Sequence, residues 1–222
     1  MFHGCNGLQG WDHLTAIREH AYGQQAKLTV VDRFGIWLSA RRVQREAGHI
    51  AGRSIADFGC GYQARIARTL ASTAASLTLV DVAVAEEAKC LPKTRTIEGE
   101  LPDALAKLPD ATYDLVLCLS VLEHLWQPEV MLTECRRVLA PGGLFLVNVP
   151  SWRGKRFLEF SAFRLRLSPV DEMDDHKRYY DPRDLWTLLR AAGFLPREIR
   201  CVRHKFGLNT FASCRISDTD PT

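Results

Sequence analysis

The stretch Ile55-Ala56-Asp57-Phe58-Gly59-Cys60-Gly61-Tyr62-Gln63-Ala64 constrains this chain more than any other. It reads as a short buried strand, a bend built on two glycines, and the start of a helix. Lacking Cβ atoms, Gly59 and Gly61 permit a sharp turn and a close approach of backbone to a bulky ligand, and the free N–H groups of the following helix point at that ligand. Asp57 stands where the strand ends. Further on, Leu77-Thr78-Leu79-Val80-Asp81 is a second apolar strand ending in an acid, placed to accept hydrogen bonds from the two hydroxyls of a ribose. The spacing Gly59-x-Gly61-x-x-Ala64 also satisfies the dinucleotide form of the fingerprint, so these residues alone leave the identity of the nucleoside cofactor open.

The chain has 222 residues, which favours a single domain with additions over two large domains. Its 29 Lys and Arg against 26 Asp and Glu leave a net charge of +3, far from the dense positive surface that general nucleic-acid binding requires. Seven cysteines (Cys5, Cys60, Cys90, Cys118, Cys135, Cys201 and Cys214) form an odd set without a CxxC pair, several of them inside apolar strand patterns. They read as reduced core residues and point to a cytoplasmic location. The start Met1-Phe2-His3-Gly4-Cys5-Asn6 lacks the basic and apolar blocks of a secretory signal. The uncharged run from Val138 to Trp152 is broken by Pro141-Gly142-Gly143 and is too short to span a bilayer, so a soluble protein is expected.

From Gln24 to Ala47 the residues Leu28, Val31, Phe34, Leu38 and Val43 recur at near-helical spacing, and Gly48 supplies a stop. A shorter helix over Trp11 to Tyr22 is predicted ahead of it. Strand and helix signals then alternate: strands over Ser54–Phe58, Leu77–Val80, Thr94–Ile97, Tyr113–Leu119 and Leu144–Val149, and helices over Gln63–Thr73, Val84–Cys90, Asp103–Leu108 and Pro128–Leu139. Such alternation implies a parallel sheet. Ser151 to Asp175 breaks the rhythm with Arg153, Lys155, Arg156, Arg164 and Arg166 set among Phe157, Phe160 and Phe163, and reads as an insertion over the site's mouth. Asp181-Pro182 opens a last helix that Gly193 ends, and strands near Glu198–Arg203 and Asn209–Cys214 close the sheet as a hairpin.

This order of signals resembles the class I S-adenosylmethionine-dependent methyltransferases, most closely the broad small-molecule group called type 11, over Ser54 to Cys214. Asp57-Phe58-Gly59-Cys60-Gly61 resembles the family's first motif, whose glycine turn lies under the methionine part of the cofactor, with Gln63 where a third glycine is usual. Asp81 matches the ribose acid, with Val82 beside it. Glu100, followed by Leu101, is similar to the position whose acid meets the adenine amino group, usually aspartate. The run from Asp114 to Leu125 resembles the fourth strand and its turn, including Ser120, and Leu139-Ala140-Pro141-Gly142-Gly143 resembles the turn into the fifth strand. The resemblance implies an α/β fold: a Rossmann-like seven-stranded, mostly parallel sheet with helices on both faces and a C-terminal antiparallel hairpin. It implies S-adenosyl-L-methionine as cofactor, with Asp57, Gly59, Gly61, Asp81, Val82, Glu100, Leu101 and Ser120 around it.

On this reading residues 1–50 form an N-terminal helical cap, 51–150 the cofactor-binding core, 151–180 an insertion over the acceptor site, and 181–222 the completion of the sheet. His124, after the fourth strand, and His176 are candidate general bases, since an imidazole titrates near pH 6.5 and can take a proton from a hydroxyl. The plainer reading is that His124 packs the turn and His176 anchors the insertion. Glu123, His124 and His176 are similar to part of the metal set of certain O-methyltransferases, but its first glutamate falls on Ser120, and no metal is expected. The basic, aromatic run from Arg153 to Arg166 suits a phosphate-bearing or lipid-linked acceptor or transient contact with a membrane surface, or else is a solvated helix face. The expected activity is O-methylation of a small molecule or of a glycan or lipid-linked precursor. A nicotinamide-dependent oxidoreductase and a non-catalytic cofactor-binding partner protein are the alternatives.

Overall fold

The computed structural model describes residues 21–24, 28–160 and 177–217, excepting the side chains of 158–160. Seven strands form one sheet: β1 (Ser54–Phe58), β2 (Ser76–Asp81), β3 (Thr94–Glu98), β4 (Tyr113–Leu119), β5 (Leu139–Pro150), β6 (Ile199–His204) and β7 (Asn209–Arg215). Their order is β3-β2-β1-β4-β5-β7-β6. The first five are parallel, and β7 runs antiparallel to both β5 and β6. The chain winds outward from β1 to β3 and then restarts at β4, so the sheet's direction of growth reverses between β1 and β4. In open α/β sheets that reversal opens a crevice at the carboxyl ends of the strands, where ligands bind.

Among the described residues six α-helices accompany the sheet: α1 (Val30–Ala47), α2 (Arg65–Arg68), α3 (Glu86–Lys89), α4 (Pro128–Val138), α5 (Trp152–Phe160) and α6 (Pro182–Ala191). Strand residues alternate between two cores. Phe58, Val116, Phe145 and Val147 meet Met131 and Leu132 of α4 and Leu185 and Leu189 of α6 on one face. Ile55, Leu79, Leu117, Leu146 and Phe211 meet Val43 and Ala47 of α1 and Leu70 on the other. Because β1 alternates, Phe58 seals the first core while Asp57 points to the second face, toward α1.

The sheet and its closing hairpin match the sequence expectation, and the boundaries of α1, α2 and β5 are among those that differ from it, each for a local reason. α1 starts at Val30 rather than Gln24 because Thr29 caps it: Asp32 N–H donates to Thr29 Oγ1 at 3.2 Å, and Thr29 N–H donates to Asp32 Oδ2 at 2.8 Å. Its apolar stripe is only half used, since Val43 is buried whereas Val31 and Phe34 are exposed. α2 stops at Arg68 instead of Thr73. Thr69 Oγ1 donates to the Ile66 carbonyl and Thr73 Oγ1 to that of Leu70, and threonine hydroxyls that bond nearby backbone compete with helix propagation. β5 begins at Leu139, which pairs with Tyr113, and Ala140–Gly143 bulges out before Leu144 pairs with Leu115. The helix expected over Trp11 to Tyr22 and most of the expected insertion, residues 161–176, lie outside the described residues. Among the described residues no helix is long and apolar enough to cross a membrane.

The glycine bend is where the packing is least forgiving. A Cβ on Gly59, at φ +72°, would lie 2.3 Å from Val121 Cγ2, whereas on Gly61, at φ +71°, the nearest atom would be the Tyr22 carbonyl oxygen at 3.4 Å. Both substitutions incur left-handed strain, and only the first adds a clash. Gly59→Ala is therefore expected to destabilise the chain by about 2–4 kcal/mol and Gly61→Ala by about 1–2 kcal/mol in chemical denaturation. Equal losses would contradict the packing described.

Candidate functional site

The carboxyl ends of β1 and β2 are bound together by backbone. Gly59 N–H donates to the Val80 carbonyl at 2.7 Å, and Gly99 N–H donates to that of Asp81 at 3.0 Å, which ties the start of the loop after β3 to the same edge. Tyr62 N–H donates to the Tyr22 carbonyl at 3.0 Å, so the described piece of the leading segment lies over the glycine bend. Ala64 follows with φ 44° and lets the chain turn into α2.

Two acids occupy this edge. Asp81, 8% exposed, accepts from Gly61 N–H at 2.7 Å through Oδ2 and from Val82 N–H at 2.8 Å through Oδ1. The acid that shapes the glycine bend is thus Asp81, and not the strand-end Asp57. Asp57 is 3% exposed, and its side chain makes no hydrogen bond among the described residues. Burial, with the Asp81 charge beside it, pushes its carboxyl up to about 7. Burial also pushes the Cys60 thiol far above its ordinary value, which makes it an inert wall of the bend.

Around the acids, the two glutamates after β3 separate by role. Glu98 accepts from Val84 N–H at 2.9 Å and pairs with Lys89 at 3.1 Å, and the Val84 hydrogen bond followed by the lysine holds its carboxyl below the usual range. Glu100 is exposed and its side chain is uncommitted, which leaves it for a ligand, with the half-buried Leu101 next to it. Ser120, at the tip of β4, takes φ 59° and donates its N–H to the Asn148 carbonyl at 2.8 Å. A serine in left-handed backbone is strained, and such strain gathers at sites. The structure therefore gathers Asp57, Gly59, Gly61, Asp81, Val82, Glu100, Leu101 and Ser120 along one edge, the carboxyl ends of β1 to β4.

Beyond Ser120 a single helical turn, Leu122–His124, carries a buried Glu123 and a half-buried His124. The chain returns across this turn after residue 176: Lys177 N–H donates to the Glu123 carbonyl at 2.8 Å, Lys177 Nζ to that of His124 at 2.7 Å, and Tyr180 N–H to that of Pro150 at 3.0 Å. His176 itself lies outside the described residues.

Sequence reasoning missed two groups on this side. Asn148 of β5 is fully buried, and neither its side-chain oxygen nor its nitrogen finds a partner. It is the one polar residue in the apolar run Leu144–Val149, a signal that was readable. Lys205, in the turn after β6, has φ 48° and places its Nζ 3.6 Å from the Cβ position of Gly35 on α1. Burial lowers its ammonium to about 8, against the pull of Glu123. No local pattern marks it, because the hairpin alone carries it to this edge.

The family model described as a methyltransferase domain matches residues 56–147, from β1 through β5. A protein of Mycolicibacterium smegmatis described as a probable S-adenosylmethionine-dependent methyltransferase is 34% identical over 168 residues, covering 74% of this chain and 61% of its own. The chain carries a class I, S-adenosylmethionine-dependent methyltransferase domain. A ubiquinone biosynthesis O-methyltransferase of Paraburkholderia phytofirmans is 26% identical, covering 68% of each chain. In fold, the methyltransferase domain is similar to a 1,6-didemethyltoxoflavin-N1-methyltransferase of Burkholderia thailandensis crystallised with that compound and S-adenosylhomocysteine, with TM-score 0.58, 19% identity, and coverage of 85% of this chain and 84% of that one. The chain spans 61% and 56% of the lengths of the first curated relatives it matches.

The nicotinamide alternative, which the glycine spacing left open, is replaced by this finding. Asp57 gives the physical reason: a buried carboxyl beside the bend would face the negative pyrophosphate of a dinucleotide, whereas it favours a cation. S-adenosylmethionine presents a sulfonium and an ammonium group, so an unpartnered acid and a bend without Cβ atoms suit it.

The sign of the Asp57 effect is testable without ligand. Its folded value, about 7, exceeds the ordinary 3.8, so the folded chain binds more protons than the unfolded chain between those limits and loses stability as pH rises through them. Asp57→Asn lacks this loss. The variant's stability relative to wild type is expected to increase by about 2–3 kcal/mol between pH 5 and pH 8 in urea titrations. A difference independent of pH would remove the argument.

Proposed function

We propose that this chain methylates an oxygen of a small molecule, or of a glycan or lipid-linked precursor, with S-adenosylmethionine as donor. The observation that carries the reading is the buried, unpartnered Asp57 beside Asp81 at the glycine bend. Asp57 receives the cationic amino-acid end of the cofactor, and the Asp81 carboxylate, at the tip of the next strand, receives the ribose hydroxyls. Val82 and Leu101 flank the adenine, Glu100 accepts from its amino group, and Gly59, Gly61 and Ser120 keep the wall low enough for close approach.

The bound cofactor supplies an electrophilic methyl group on a sulfonium sulfur. The chain's own work is to hold the acceptor in line and to manage its proton. His124, on the turn after β4, takes that proton, and His176 is its partner candidate from the insertion. Lys205 and Asn148 line the same side: the first, with its ammonium lowered to about 8, favours an anionic or partly ionised oxygen, and the second offers an amide to orient it. The O-methyltransferase among the relatives supports oxygen as the acceptor atom.

The experiment is transfer of labelled methyl from S-adenosylmethionine into fractionated small-molecule and lipid extracts. Label is expected in a hydroxyl-bearing compound, and His124→Ala is expected to slow it about 100-fold while leaving the thermal shift given by S-adenosylhomocysteine intact. Tight cofactor binding with no labelled product in any fraction would favour the non-catalytic partner, and full activity in the variant would dismiss His124 as the base.

A further inference from the structure

A cavity of about 370 Å³ lies beyond the carboxyl end of β5, between the starts of α5 and α6 and the end of β6. Three guanidinium groups line it: Arg153 and Arg156 from α5 and Arg203 from β6. None of the residues placed around the cofactor takes part. Arg153 and Arg203 converge from opposite sides, since a Cβ on Gly207 would lie 3.5 Å from Arg153 Nη1 and 3.9 Å from Arg203 Cδ.

The arrangement is held by backbone and so is built into the fold. Ser151 N–H donates to the Leu208 carbonyl at 3.0 Å, Ser151 Oγ donates to that of Gly207 at 2.8 Å, and Gly154 N–H donates to Ser151 Oγ at 3.0 Å. A Cβ on Gly154 would sit 2.1 Å from the Leu208 oxygen, so α5 can approach the β6–β7 turn this closely only because residue 154 is glycine. These contacts fix Arg153 relative to Arg203 across 50 positions of sequence.

All three guanidinium-bearing residues are exposed. Among the described residues none of these three forms an ion pair or a side-chain hydrogen bond, although Arg42, Arg137 and Arg178 elsewhere in the chain do form ion pairs. Among the described residues the one acid lining the cavity is Asp181, the N-cap residue of α6, whose backbone N–H donates to Asp184 Oδ2 at 2.9 Å. Two helix N-termini bordering the same space add to its positive potential.

We infer that this cavity binds a phosphate-type anion, a phosphomonoester or diphosphate group, through bidentate arginine contacts. The planar fork of a guanidinium matches phosphate oxygens, and three such forks around one space suit a group bearing two or more negative charges. The anion is either part of a soluble phosphorylated molecule or the headgroup of an anionic lipid. The inference stands apart from methyl transfer, since it uses no residue of the cofactor edge.

The test is calorimetric titration of the full chain with inorganic pyrophosphate at constant ionic strength, beside sedimentation with phosphatidylglycerol and with phosphatidylcholine vesicles. Saturable pyrophosphate binding that weakens about tenfold or more in each of Arg153→Ala and Arg203→Ala is expected for a soluble ligand. Binding confined to phosphatidylglycerol vesicles, with the same dependence on both arginines, assigns the anion to a lipid. The thermal shift given by S-adenosylhomocysteine should be unchanged in both variants, which reports on folding and on the cofactor edge separately. Arg156→Ala, on the exposed face of α5, provides a third reading if either variant fails to fold. No saturable uptake in any arm, or uptake indifferent to the three substitutions, overturns the inference.

Discussion

Asp57 and Asp81 stand at the tips of neighbouring parallel strands, both nearly sealed from water, and the charge of one adds to the cost of ionising the other. Close placement of two carboxyls is unfavourable unless a cation or a set of donors resolves it. Asp81 is resolved internally, by the N–H groups of Gly61 and Val82. Asp57 is left for something that the protein does not itself supply. The chain therefore stores an electrostatic preference at one edge of the sheet, and a cationic nucleoside is the chemistry that satisfies it.

The rest of the fold serves to keep that edge in place. Pairing of β1 with β2 and β4 sets Asp57 level with Leu79 and Leu117, inside the second core and short of solvent. Gly59 then turns the chain at the one point where Val121 leaves no room for a side chain. Beyond β4 the return of the chain at Lys177 clamps the turn holding Glu123 and His124, and the β6–β7 hairpin carries Lys205 close enough for Glu123 to act on its charge. The parallel strands thus carry the two buried acids at their tips, and the antiparallel hairpin adds Lys205.

What was legible in the sequence divides along physical lines. The strands were, because a strand covered on both faces must be a continuous apolar run, and Ser54–Phe58 and Tyr113–Leu119 coincide with their expected limits. The glycine bend and the acids at the strand tips were too, because bend, acid and spacing are local. The length of α2 was not, since threonine hydroxyls at 69 and 73 decide it by side-chain competition that periodicity does not record. Nor was the division of labour between Glu98 and Glu100, which depends on where Lys89 and Val84 fall in space. Lys205 and the meeting of Arg153 with Arg203 arise from a hairpin returning beside β5, a long-range consequence that no window of sequence contains.

The most direct test of the electrostatic account is the proton balance of cofactor binding. Calorimetric titration with S-adenosylhomocysteine at pH 7, in two buffers of different ionisation enthalpy, counts the protons exchanged. If Asp57 gives up its proton to receive the ligand's ammonium group, wild type releases about half a proton on binding and Asp57→Asn releases none. Equal proton release by the two proteins, or binding that is no weaker without the Asp57 carboxyl, would contradict the account.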